Sequence, residues 1–154
     1  MTSLRISHHA AHPNGIWTKS FEPINPNHEF PTVKYFEVKL AGHGTYGIGF
    51  STRKYGSGEF IGWNDDSIGY DSMGDIIGLE GYGGPPILKW HTMGDEDVIG
   101  AGFSGGRPFF TLNRELFRID EVFLGDCRFI FPTVSMIGER TSAIVNTGPY
   151  LCLM

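Results

Sequence analysis

Glycine and proline, 22 and 9 of the 154 residues, interrupt this chain so often that it can build many short strands but no long helix. Between the interruptions the side chains repeat with period two. Val33, Tyr35, Glu37 and Lys39 alternate with Lys34, Phe36, Val38 and Leu40, so Phe36, Val38 and Leu40 share one face, expected to be core. In Tyr46-Gly47-Ile48-Gly49-Phe50 large residues alternate with glycines, which leaves one face of a strand almost bare and open to close approach. Further strands are expected at 16–21, 67–71, 75–79, 87–91, 97–103, 107–112, 115–119, 128–136 and 142–147. Strands of that length at that spacing indicate an all-β sandwich. Leu116, Ile119 and Phe123 recur at helical spacing, yet a hairpin return followed by a loop suits the β-pattern on either side better.

A chain of this length suits one domain and can bury a core without disulfide or metal staples. The first fifteen residues hold no sustained periodicity, so 1–15 is expected as a flexible lead-in and 16–154 as the single domain. His8, His9 and His12 are read as solvent-exposed, their spacing being poor for a metal. A formal charge of -5 without clustered Lys and Arg argues against nucleic acid as a partner. Cys127 and Cys152 are too isolated for a zinc site or a disulfide framework and are expected as reduced, buried thiols. No signal segment, no membrane-spanning apolar run and no Asn-x-Ser/Thr acceptor occurs, so the expected location is the cytosol or nucleus, with no membrane partner.

Gly42-His43-Gly44-Thr45-Tyr46-Gly47 matches the dinucleotide pattern G-x-G-x-x-G, but a strand pattern follows it where a helix N-terminus would have to face the pyrophosphate. A tight hairpin connection explains the glycines more simply, and no cofactor is expected. The acidic residues at Asp65 and Asp66, Asp71 and Asp75, and Asp95 to Asp97 lack both the Glu-x-Asp or Glu-x-Glu alternation of a glycosidase strand and the ordered oxygens of a calcium loop. They are read as turn residues, with no catalytic residue and no metal ligand assigned. Trp17, Trp63, Trp90, Phe103, Phe110 and Phe131 are expected mostly in the core, where burying a ring is worth about 2 to 3 kcal/mol. Tyr46, Tyr55 and Tyr82 lie among Gly, Ser, Arg and Lys and are expected to be part-exposed.

Four segments, Tyr35-Phe36-Glu37-Val38, Gly62 to Tyr70, Asp97 to Phe103 and Phe131-Pro132-Thr133-Val134, occur in an order that resembles an SPRY domain, with Gly47 to Thr52, Phe109 to Asn113 and Val145 to Gly148 falling in place between and after them. The series is most like the stand-alone type of Ran-binding-protein-M-like scaffold proteins. The resemblance implies an antiparallel β-sandwich of the concanavalin-like jelly-roll kind that catalyses nothing and binds a peptide or protein surface through loops at one end. Carried onto this chain, it points to Tyr46, Arg53, Lys54, Tyr55, Glu59, Phe60, Asp65 and Asp66 as ligand-binding residues, with Trp63 propping the loop from beneath. It also implies a monomeric domain of a larger assembly, such as the recognition or scaffold part of a ubiquitin ligase; a carbohydrate-binding or hydrolytic sandwich is the alternative. At Asn113-Arg114 the sequence departs from a common Asn-Gly turn. Arginine at a positive-φ position costs about 1 kcal/mol, so a longer turn or one of another type is expected there.

Overall fold

The computed structural model describes residues 6–10, 15–23, 33–79, 85–122 and 129–147. Among them lie twelve strands and no helix, in two six-stranded antiparallel sheets. The first sheet runs β1 (Ile6–Ala10), β12 (Ser142–Asn146), β3 (Val33–Ala41), β8 (Val98–Ser104), β9 (Arg107–Leu112), β10 (Glu115–Arg118). The second runs β2 (Ile16–Ser20), β11 (Phe131–Ile137), β4 (Thr45–Ser51), β5 (Ser67–Asp71), β6 (Asp75–Gly78), β7 (Leu88–Lys89). Phe36, Val38 and Leu40 of β3 meet Tyr46, Ile48 and Phe50 of β4 in the core between the sheets, together with Ile99, Ala101 and Phe103 of β8 and Val134 and Met136 of β11. The Phe50 ring sits edge-on to Phe36 at 5.2 Å and tilted against Phe103 at 4.7 Å, geometries that favour aromatic contact.

Four expectations change. Ile6–Ala10, inside the stretch read as a lead-in, forms β1 and pairs with β12 from Ile6↔Asn146 to Ala10↔Ser142. An edge strand is held by ladder bonds along one side and needs no alternating pattern to announce it. The Gly42–Gly44 connection is no hairpin: β3 and β4 lie in different sheets, and the chain crosses between them at Gly42, whose φ is +94° and whose missing Cβ leaves room for the Arg140 carbonyl. The β9–β10 turn is a tight two-residue loop with Leu112↔Glu115 paired and φ of 49° and 74° at Asn113 and Arg114. Positive φ at both positions suits the twist of a hairpin. Asn113 fixes the turn by accepting from the Val98 N–H at 2.9 Å and donating to Asp97 at 3.0 Å, which holds Arg114 in a conformation it disfavours. Phe131, finally, alternates with Pro132, Val134 and Met136 and so stands half-buried on the outer face of the second sheet, away from the core.

Phe103 and Phe110 are buried, while Trp17 and Trp90 are half-buried and pack on the core from its margins. Tyr82, His12, Cys127 and Cys152 lie outside the described residues, as do the side chains of His8 and His9.

Candidate functional site

The bare face of β4 has an occupant. A Cβ at Gly47 would stand 2.7 Å from Ile61 and Phe60 side-chain atoms, and one at Gly69 in β5 would stand 3.1 Å from Ile61. The connection 52–66 between β4 and β5 therefore lies as a strap across the outer face of the second sheet, pressing Phe60 and Ile61 into the space the glycines leave. Beside them, hydroxyl residues of β2, β11, β4 and β5 stand on the same outer face. The Tyr55 N–H donates to Ser20 Oγ at 2.8 Å, the Ile61 N–H to Ser135 Oγ at 3.0 Å and the Gly62 N–H to Ser67 Oγ at 2.8 Å. Thr18 donates to the Glu59 carbonyl and lies 2.7 Å from Ser135 Oγ; Thr133 Oγ1 lies 2.7 Å from Ser20 and 2.9 Å from Ser51. Each such bond contributes about 1 kcal/mol net, and leaving its buried donor unmatched would cost more.

The outward side of the strap is a charge network centred on Arg53. Its Nε donates to Asp66 Oδ2 at 2.8 Å, its terminal nitrogens donate to both oxygens of Glu59, and its guanidinium lies 4.4 Å from the centre of the Tyr55 ring. The Tyr55 hydroxyl donates to Asp66 Oδ1. Bonding to Arg53 holds the Glu59 carboxyl below its usual range, and burial pushes the Tyr55 phenol up to about 12. Lys54 extends outward to pair with Glu22, two exposed side chains. Asp65 is exposed, with no side-chain partner among the described residues. Trp63 is half-buried and tilts over Phe60 at 5.0 Å.

Arg53, Tyr55, Glu59 and Asp66 are thus brought together, with Lys54, Phe60, Trp63 and Asp65 beside them. Tyr46 is not among them. It is fully buried in the core, its hydroxyl donating to the carbonyls of Ala41 and Gly42, 2.7 Å from each, and so tying down the crossover between sheets. Tyr55 and Phe60, at 5% and 2% exposure, also depart from the expected loop surface. Their Gly- and Ser-rich neighbours suggest solvent, but the glycine trough draws these rings inward. The hydroxyl docking strip was not anticipated, although its signal is present: Thr18 and Ser20, Thr133 and Ser135, and Ser51 and Ser67 all alternate in phase with the glycines.

Away from the strap, acidic side chains cap turns. Asp71 accepts from the Met73 and Asp75 N–H groups, Asp95 from Gly42 and Asp97 from Gly94. Among the described residues no three His, Cys, Asp or Glu side chains are grouped to hold a metal ion, and no helix is long and apolar enough to cross a membrane.

A crystal structure of a human SPRY domain matches this architecture with a TM-score of 0.70, covering 97% of this chain and 100% of that chain at 18% sequence identity. This is the SPRY fold. No family model matches the sequence, and no curated protein matches it. Within the SPRY fold of this chain, the strap is the β4–β5 connection that the resemblance marked as part of a binding rim.

Proposed function

We propose that this SPRY fold is a non-catalytic interaction module that binds a peptide or protein surface through the outward side of the strap. The observation that carries the reading is the locking of that strap, by backbone bonds to a buried hydroxyl strip below and by the Arg53 network above. A surface ordered before its partner arrives loses little conformational entropy on binding. Lys54 and Asp65 supply exposed charges of both signs, which suits a mixed, polar ligand, while Arg53, Glu59 and Asp66 present the edges of an internally paired cluster in which one guanidinium serves two carboxylates. Tyr55, Phe60 and Trp63 set the shape from beneath. The strap carboxylates Glu59 and Asp66 are held by Arg53 and Tyr55, an arrangement that supports a rigid scaffold over an acid–base pair. The likeness to scaffold modules of the Ran-binding-protein-M type extends the proposal to a recognition role in a cytosolic or nuclear regulatory assembly, a ubiquitin ligase among them.

Affinity capture with the wild-type chain, Lys54→Glu and Asp65→Lys tests this. A partner captured by the wild type should be lost or weakened by about 1 to 3 kcal/mol in both variants, at unchanged melting temperature. Equal capture by all three would remove the strap from the binding surface, and saturable binding to a glycan array in place of protein would replace the reading.

A further inference from the structure

A second surface, on the opposite side of the sandwich, is built without any part of the strap. On the outer face of the first sheet, Gly100 and Gly102 of β8 leave a trough into which Tyr35 and Phe109 lay their rings, stacked at 5.7 Å and 9°. The Tyr35 hydroxyl is pinned between Thr111 at 2.8 Å and Glu37 at 3.0 Å, so the Phe109 ring has a fixed backing. Next to it, the register Leu116↔Thr111 and Arg118↔Phe109 places Leu116 and Arg118 on the same face, on the last strand of the sheet. The result is an open pocket of about 200 Å³ with a floor of Pro108, Phe109 and Leu116 and a rim of Arg107, Arg118 and Asp120.

Three properties of this pocket point to a ligand. Leu116 is 48% exposed, one of two large apolar side chains left so open among the described residues. Arg118 has no hydrogen-bond or ion-pair partner among those residues, and with Arg107 and Arg114 it puts three of the seven arginines of a chain of charge -5 on one hairpin. Among the described residues β10 is also a sheet edge, and in a hairpin closed by a two-residue loop the ladder bonds fall on Leu112–Glu115 and Phe110–Phe117, turning the N–H and C=O of Leu116 and Arg118 outward. We propose that this edge docks an extended peptide segment of a partner protein in which an apolar side chain neighbours a carboxylate. The apolar side chain fills the pocket over Phe109 and Leu116, which has room for roughly one leucine-sized group. The carboxylate pairs with Arg118, and the peptide backbone extends along β10. Asp120 on the rim favours a singly charged carboxylate over a phosphate dianion.

Amide NMR spectra of the full chain, titrated with end-blocked Glu-Glu-Leu-Glu-Glu, Glu-Glu-Ser-Glu-Glu, Lys-Lys-Leu-Lys-Lys and a phosphoserine analogue of the first peptide, test the proposal. The leucine-centred acidic peptide should give saturable shifts at Arg107, Phe109, Leu116 and Arg118, with each other peptide weaker by roughly tenfold or more. Arg118→Glu should abolish those shifts while the remaining spectrum overlays that of the wild type, and Lys54→Glu in the strap should leave them intact. The proposal is overturned by equal binding of the serine, lysine or phosphoserine peptide, by retained binding in Arg118→Glu, by shifts confined to the strap, or by no saturable shift. Because Lys54→Glu reads only the strap and Arg118→Glu only this edge, either surface can fail without the other.

Discussion

Arg53 and Tyr55 have the residue types of binding hot spots, but their contacts are those of a clasp. The guanidinium is shared between two carboxylates of its own strap, and the phenol beneath it is buried and bonded to one of them. Tyr55→Ala is therefore expected to cost about 3 to 5 kcal/mol by cavity formation. Arg53→Glu, which sets a third carboxylate beside Glu59 and Asp66, should cost about 1 to 2 kcal/mol, the network being half-exposed. Denaturant midpoints check both; an unchanged midpoint for Tyr55→Ala would mean the strap is not clamped. Burial raises the Tyr46 and Tyr55 phenols from 10.0 to about 12. Since the fold favours their neutral form, the stability they contribute is complete below about pH 10 and is lost as pH rises through about 12. Phenolate absorbance and loss of far-ultraviolet circular dichroism should then rise together in that window. Early phenolate formation by all tyrosines in the native state would contradict the burial. Glu59 has the opposite sense: its stabilisation is present above the usual carboxylate range and fades as acid protonates it.

At the scale of elements, the glycine trough makes a sharper demand than any hydrophobic run. Gly47→Ala places a methyl group against Phe60 and Ile61, and the strap has to lift by a few tenths of an ångström or more. A cost of about 1 to 3 kcal/mol is expected. Hydrogen exchange at the Ile61 and Gly62 amides should accelerate more than at β3 amides, since the damage is local to the strap. Uniform acceleration would show that the strap and sheets open as one unit. These contacts also mark the limit of what sequence reading gives. Alternation identified the inward faces of β3 and β4, and even that one face of β4 was bare, because period two is a local property. It did not say which segment covers the bare face, since that depends on a contact between Gly47 and Phe60 that no local pattern encodes. For the same reason β1 and the sheet-to-sheet crossover at Gly42 were not legible; the burial of Tyr46 was, from its phase with Ile48 and Phe50, but its glycine neighbours suggested a loop, and the tight turn at Asn113-Arg114 was missed because Asn113 is held by Asp97 and Val98.

Across the whole molecule, a two-sheet core carries two unlike surfaces, the locked mixed-charge strap on the second sheet and the arginine-rimmed edge on the first. Only substitutions of fully packed side chains, in the core or beneath the strap, should move global stability strongly. Phe36 is fully buried and meets Phe50 edge-on, so Phe36→Ala is expected to cost about 3 to 5 kcal/mol. Phe131 looks equivalent by composition, but its phase in β11 puts it half-buried on the outer face, so Phe131→Ala should cost about 1 to 2 kcal/mol. Lys54→Glu and Arg118→Glu, being exposed, should change stability by less than about 0.5 kcal/mol. Urea denaturation of the four variants provides the ordering in one series, with m-values held constant to show that the denatured state is unchanged. A Phe131→Ala cost equal to that of Phe36→Ala would place that ring in the core and shift the register of β11 by one residue, which would also turn Thr133 and Ser135 away from the strap they are argued to hold.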